Sequence, residues 1–231
     1  MKNQLRRVTL WCVSTVLIVT SGLATADPME AVTGLDVDNP AAFIAALDRY
    51  YDSDGAHGNV TIWAMDFAGE SEISHLAIGN FDDYAEYEEV TNGRRNSPEW
   101  GAFVGSINNM LDVESRLMAI ERFRTGSGWQ EHGAMAAFVM TVSDPAAYAN
   151  AFKELTGSME NPGSVRLMEL RYGGQGATHA ALISAANIAE LNEYLDELLS
   201  SDAYEEFVEE VSDIRTILNV EQLRRVKSYS N

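Results

Sequence analysis

The sequence predicts an α+β protein made of two copies of one small β-α-β-β-α-β unit. The first observation is an internal duplication with a spacing of about 105 residues, which suits a whole small domain rather than a solenoid repeat. Three pairs of segments carry the duplication: 38–43 with 143–148, 74–78 with 178–182, and 97–104 with 201–208. The second observation is that strand-type and helix-type apolar patterns alternate in the same order along both copies.

The second copy has the clearer pattern. Its predicted elements are a strand over 134–142, a helix from 145 to near 157, strands over 165–172 and 177–184, a helical region over 191–211, and a strand from 214 to about 227. Ser143 or Asp144 supplies a helix cap, and Pro145 occupies the first helical position, where its missing N–H costs nothing. The Gly-rich turn after Tyr172 predicts a hairpin.

The first copy follows the same order. Its predicted elements are a weak strand within 31–37, a helix from the cap at 38–40 to near 51, strands over 59–68 and 72–79, a broken helical region over 82–110, and a closing strand over 115–123. The chain is therefore divided into a signal segment at 1–26, a first repeat at 27–124, a linker at 125–131 and a second repeat at 132–231.

This order of elements resembles the ferredoxin-like dimeric α/β-barrel superfamily, in which two such units pack their antiparallel sheets together. Two chains usually supply the units, whereas a tandem duplication would supply both here, as an intrachain pseudo-dimeric α/β barrel. A second chain is then not required, although the sequence leaves oligomerisation open. The resemblance implies a range of activities that includes cofactor-independent monooxygenases, haem-dependent chlorite dismutases and binding domains, and the fold does not choose among them.

The first 26 residues have the pattern of an export signal. Lys2, Arg6 and Arg7 form a basic start, an apolar stretch follows, and Ala24-Thr25-Ala26 is typical of a cleavage site. The apolar stretch is short for a membrane span, so we expect no membrane insertion after its removal. The mature protein is therefore expected in the periplasm or secreted.

The composition limits the partners. The sequence has 35 acidic residues against 16 Lys and Arg, with a formal net charge of −19, so it repels nucleic acid and anionic membranes. Its one cysteine, Cys12, lies in the signal segment, which excludes disulfides and thiol chemistry in the mature chain. Each repeat must therefore be stabilised by its own core.

Two histidines occupy equivalent positions in the two copies. His75 and His179 lie early in the third strand of each repeat, each after a hydroxyl residue. An imidazole there can shuttle a proton or bind a ligand near neutral pH. The structural alternative, which the shared position favours, is that both hydrogen-bond a neighbouring loop.

The first repeat has two arginines where the second has two leucines. Arg94 and Arg95 replace Leu198 and Leu199 in the helical region. A guanidinium can clamp an anion, but it can equally cap its helix or pair with neighbouring glutamates. Because duplicated folds can keep one open cleft, this break in the apolar pattern points to the first repeat as the place for a site.

Aromatic and basic strand residues complete the set of candidates. Trp63 alternates with Met65 on a strand and is a candidate for lining an apolar pocket. Trp129 lies within the linker region and is expected to cover the junction. Arg166 and Arg171 become candidates if they face inward, although a solvated edge is the simpler interpretation.

No cofactor or metal is expected. The four histidines do not have metal-ligand spacing and no mature cysteine is present. Haem is the alternative that the resemblance implies, with His179 as the axial ligand, but the segment 180–192 contains no arginine for the distal side. A Gly-x-Ser-x-Gly turn is also missing.

The sequence leaves three classes of function open. The leading hypothesis is an exported protein that binds a small, largely apolar molecule in a cleft of one repeat; the candidate ligand-binding residues are His75, Trp63, Arg94, Arg95 and His179. The alternatives are a cofactor-independent or haem-dependent oxidoreductase, and a structural or interaction protein with closed clefts. The catalytic residues of an enzyme are not identified, and the missing catalytic motifs favour binding over catalysis.

Overall fold

The computed structural model describes residues 27–69, 71–126, 128–160 and 163–230. The proposed signal segment, with Cys12 and the cleavage site, lies outside the described residues. The first repeat contains β1 Met29–Val37, α1 Pro40–Tyr51, β2 Val60–Phe67, β3 His75–Phe81, α2 Tyr84–Asn96, α3 Pro98–Ile107 and β4 Leu111–Gly126. The second contains β5 Ala134–Val142, α4 Pro145–Gly157, β6 Gly163–Tyr172, β7 His179–Ala185, α5 Ile188–Leu199, α6 Asp202–Val211 and β8 Arg215–Tyr229.

The duplicated segments begin helices. The Oδ1 atoms of Asn39 and Asp144 accept hydrogen bonds from backbone N–H groups at 3.1 and 3.0 Å, at the starts of α1 and α4. Ser97 and Ser201 do the same for α3 and α6, both at 3.1 Å. Each cap satisfies an amide that a helix start leaves unpaired, so the repeated sequence fixes where four helices begin.

The described strands form one closed antiparallel barrel in the order β1-β3-β2-β8-β5-β7-β6-β4. Within each repeat the order is that of the ferredoxin-like unit, and the β2–β8 and β4–β6 pairings join the two repeats. The chain therefore has the dimeric α/β-barrel fold, with both halves supplied by one polypeptide, as the sequence predicts.

The two ends of the barrel differ. Four antiparallel steps separate β2 from β6, so these strands point the same way and the hairpin turns that follow them, with described residues 68–69 and 71–74 in one and 173–178 in the other, lie at one end. We call this the hairpin end. Residues 128–133, which connect the repeats, lie at the other end, which we call the linker end.

The helices cover the outer face of the barrel unequally. In the second repeat, α5 buries Leu191, Tyr194 and Leu198 against the sheet, whereas α2 of the first repeat has no buried residue. Arg94 stands where α5 has Leu198, which explains the weaker apolar face of α2. None of the helices among the described residues is long and apolar enough to cross a membrane.

Candidate functional site

The barrel interior is closed at the linker end and opens towards the hairpin end. On each of six strands an inward-facing residue is buried and its neighbour two positions nearer the hairpin end is only partly buried. The pairs, buried residue first, are Glu30 and Val32, Trp63 and Met65, Ile78 and Leu76, Ala119 and Leu117, Met168 and Leu170, and Leu223 and Glu221. The interior is therefore a funnel, and we call its partly exposed hairpin-end part the barrel mouth.

A groove of about 480 Å³ forms one side of the barrel mouth. It is lined by the turn at 71–73, the start of β4 at Glu114, Ser115 and Leu117, and the turn at 173–175. Gly173 has φ +76°, and a Cβ there would collide with the carbonyl oxygen of Arg116, so only glycine lets this turn lie so close to β4. The groove has a polar rim and reaches Leu117, which packs against the apolar cluster of the barrel interior.

The opposite side of the barrel mouth carries a carboxyl group. Glu221 pairs with Ala137 across β8 and β5 and shares its face with Leu223, so its side chain points into the barrel. Asn219 Nδ2 donates a hydrogen bond to Glu221 Oε1 at 2.9 Å. Burial raises the pKa of Glu221, and the bond from Asn219 opposes this only in part. Among the six partly exposed inward-facing residues of the barrel mouth, five are therefore apolar and Glu221 is protonatable.

The structure separates the candidates predicted from sequence. Trp63 faces the barrel interior, where it is fully buried in the closed part of the funnel. His75 pairs with Leu35, and His179 pairs with Met140, both of which belong to the clusters under the helices. The two histidines therefore lie on the opposite face of the sheet from Trp63, and the three side chains do not converge on one space.

Each histidine is held by the hydroxyl residue before it. His75 Nδ1 is hydrogen-bonded to Ser74 Oγ at 3.0 Å, and His179 Nδ1 to Thr178 Oγ1 at 2.9 Å. The same hydroxyls accept from the backbone N–H groups of Val37 and Val142, at 2.8 and 2.9 Å, and so fasten the ends of β1 and β5. This duplicated arrangement is the loop hydrogen bond that the shared position favours.

The buried histidines predict acid sensitivity. Burial lowers the pKa of His179 from 6.5 and outweighs the opposing effect of Glu169, so the neutral ring is favoured in the folded protein. The unfolded chain then binds more protons as the pH falls through about 6.5, and we expect the free energy of unfolding to decrease below that pH. His179→Asn keeps an acceptor for Thr178 and should flatten this dependence. Urea unfolding at pH 7.5 and 5.5 measures it; equal pH slopes for both proteins would contradict the prediction.

Arg94 and Arg95 lie outside the barrel. Arg94 donates to the backbone oxygen of His57 at 3.0 Å and to the Tyr51 hydroxyl at 3.3 Å, and its guanidinium lies 5.1 Å from the centroid of the Trp100 ring. These contacts fasten the loop after α1 to α2. Arg95 is exposed and donates to Asn92 Oδ1 at 3.1 Å. The structure does not bring either arginine to the barrel mouth.

A polar cluster that the sequence does not reveal closes the linker end. Arg166 faces inward, not towards solvent, and forms a buried ion pair with Glu30. Glu121 Oε2 lies 3.8 Å from its Nη1. Its guanidinium lies 3.9 Å from the centroid of the Trp129 ring, which is fully buried and stacks 6.3 Å from Trp63. Arg171, by contrast, is exposed and pairs with Glu169.

Haem does not fit at His179 in this packing. His179 lies on the helix-covered face of the second sheet, and the space between that sheet and its helices is filled by buried side chains of the cluster that includes Tyr148, Phe152 and Phe207. The described residues also contain no group of three or more His, Cys, Asp or Glu side chains arranged to hold a metal ion.

The fold and the funnel define a duplicated α/β barrel with its opening between the two repeats. No protein-family model matches the sequence, and a search of curated proteins finds no match. Solved structures match over nearly the whole chain. Their sequence identities to this chain are so low that the likeness shows a shared fold and nothing about activity.

Three of these structures illustrate the likeness. A protein from Fusobacterium nucleatum subsp. nucleatum ATCC 25586, provisionally assigned as a monooxygenase, is 14% identical with a TM-score of 0.62, covering 89% of this chain and 95% of its own. A protein from Lactobacillus acidophilus NCFM with the same provisional assignment is 16% identical with a TM-score of 0.59, and the match covers 88% of this chain and 96% of its own. A mutant chlorite dismutase from Candidatus Nitrospira defluvii is 8% identical with a TM-score of 0.54, and the match covers 89% of this chain and 93% of its own.

Proposed function

We propose that the protein binds a small, largely apolar molecule in the barrel mouth. The observation that carries this proposal is the change from buried to partly exposed inward-facing side chains along six barrel strands, on five of which the partly exposed residue is apolar. Small-molecule sites typically have a volume of a few hundred Å³, and the groove beside Leu117 has that size, with Ile73 and Leu117 as its apolar residues and a polar rim. The proposed site lies between the repeats, whereas the sequence favours a cleft of one repeat.

The charge of the chain disfavours an anionic ligand. A formal net charge of −19 disfavours anionic small molecules as well as nucleic acid and anionic membranes. Among the residues that line the groove, Glu72 and Glu114 are acidic and none is basic. We further propose that the protein works in the periplasm or after secretion, which rests on the pattern of its first 26 residues.

A matched pair of leucine variants tests the ligand site. Leu117→Arg places a long cation in the barrel mouth and should weaken the binding of N-phenyl-1-naphthylamine, a neutral apolar fluorescent probe, by about 10-fold or more, because it removes apolar contact and adds a charge. Leu199→Arg makes the same substitution at an exposed position of α5 and should leave binding unchanged. Fluorescence titration gives both dissociation constants. Equal affinities, or no saturable binding to the wild type, would refute the proposal.

Oxidation of a bound apolar substrate is the second candidate function. Two of the similar structures are provisionally assigned as monooxygenases, which supports this function. Glu221 also supports it, because its raised pKa brings the carboxyl closer to the range of a general base. In such a reaction Glu221 takes a proton from an activated CH₂ group, and O₂ oxidises that carbon to C=O with release of water. Oxygen uptake with a panel of phenols and activated ketones, compared between wild type and Glu221→Gln, tests it. A Soret band that saturates on haem addition would instead favour the haem-dependent alternative.

A further inference from the structure

We propose that Glu221 is the polar anchor of the barrel mouth and selects neutral ligands that carry a hydroxyl or carbonyl group. This inference rests on the proposed ligand-binding function and specifies the chemistry of the molecule bound. It is drawn from the position of one carboxyl in an otherwise apolar part of the funnel.

The hydrogen bonding of Glu221 leaves capacity for a ligand. Its Oε1 accepts from Asn219 Nδ2 at 2.9 Å, while its Oε2 has no hydrogen-bond partner among the described residues. Asn219 also receives at Oδ1 a hydrogen bond from the backbone N–H of Val220, at 2.9 Å, so the amide is held with its NH₂ towards Glu221. One carboxyl oxygen is therefore positioned and the other is available to a bound molecule.

The surroundings of Glu221 disfavour charge. Within the described part of the chain Glu221 has no ion pair, since the neighbouring Arg224 pairs with Asp66 at 3.0 Å and Arg225 donates to the backbone oxygen of His132. Its cross-strand neighbour Ala137 and the strand neighbour Leu223 are buried and apolar. A protonated carboxyl there donates to a carbonyl oxygen and an ionised one accepts from a hydroxyl, whereas an anionic ligand would add a second uncompensated charge.

The carboxyl group of Glu221 has no counterpart at the equivalent position of the first repeat. The spacing that relates the two closing strands, Ser115 to Asn219, places Leu117 of the first repeat at the position of Glu221. At this inward-facing position the mouth therefore has a carboxyl group on β8 and a leucine on β4. A flat ligand with a polar group at one end is oriented by this difference.

Three naphthalene probes test the inference: naphthalene, 1-naphthol and 1-naphthoate. In the wild-type protein at pH 7.5 we expect 1-naphthol to bind about 3- to 10-fold more tightly than naphthalene, as one hydrogen bond provides. We expect 1-naphthoate to bind most weakly. Glu221→Leu should reduce the naphthol preference to less than about twofold, and Glu221→Gln, which keeps a donor and an acceptor, should retain it.

The outcomes separate the two proposals. Glu193→Gln is the control: it makes the same substitution at an exposed position of α5 and should not alter the affinity for any of the three probes. If the probes bind but Glu221→Leu keeps the naphthol preference, the anchor is refuted while the binding function stands. If no probe binds the folded wild type, both are refuted. Urea unfolding of each variant confirms that it is folded.

Discussion

Arg166→Met is expected to lower the free energy of unfolding by about 3–5 kcal/mol, the range for breaking a buried ion pair from one side. The side chains of Arg166 and Glu30 are 1% and 6% exposed, so water cannot solvate the carboxylate that the substitution leaves behind. Glu121 is less affected, because it keeps Arg124 at 2.7 Å. Equilibrium urea unfolding at pH 7.5 measures the loss.

A double-mutant cycle separates charge from packing in this result. Arg166→Met/Glu30→Gln removes both charges and should recover much of the loss, since a neutral replacement of a buried pair is often tolerated. If the double variant is as unstable as Arg166→Met alone, the loss of packing against Trp129 is the cause and the electrostatic explanation is wrong. The cycle also reports on how the repeats are joined, because Glu30 belongs to the first repeat and Arg166 to the second.

The sequence predicts the fold because its strongest signals are local. The strand over 134–142 and the helix from Pro145 to Gly157 are confirmed at both ends, since a proline, a capping Asp144 and a glycine mark the helix boundaries directly. The closing strand of the first repeat is longer than predicted, Leu111–Gly126 instead of 115–123. Its last part pairs with β6 of the other repeat, and a pairing between distant segments leaves no local pattern.

The candidate site is less accessible to sequence reasoning. Trp63 shows as an apolar residue on an alternating strand, but whether that face meets helices or the barrel interior depends on how the sheet closes. Arg166 and Glu221 look like solvated charges because strand alternation gives two faces without saying which is covered. One feature of the sequence does point to the position of Glu221. It lies two residues from the apolar Leu223 on a strand, so the two side chains share a face, and Leu223 is fully buried.

Trp129→Ala should destabilise the protein by about 3–5 kcal/mol, the usual cost of truncating a buried tryptophan. The indole of Trp129 is fully buried between the guanidinium of Arg166 and the ring of Trp63. Its removal therefore leaves a cavity at the linker end. Trp100→Ala is the matched control. Trp100 is only partly buried, against Tyr50 and Phe103 on the outer face, and should cost less. Urea unfolding ranks the two variants.

Rescue by indole distinguishes a cavity from general loosening. An apolar cavity left by truncation can bind a ligand of the missing shape, so millimolar indole should raise the melting temperature of Trp129→Ala and leave that of Trp100→Ala unchanged. A loss in Trp129→Ala without rescue would mean that the barrel has collapsed into the space. Equal losses in both variants would contradict the role of Trp129 as the closure of the linker end. Trp129 lies at the end of the barrel opposite the proposed ligand site, and its packing against Arg166 and Trp63 keeps the interior at that end buried.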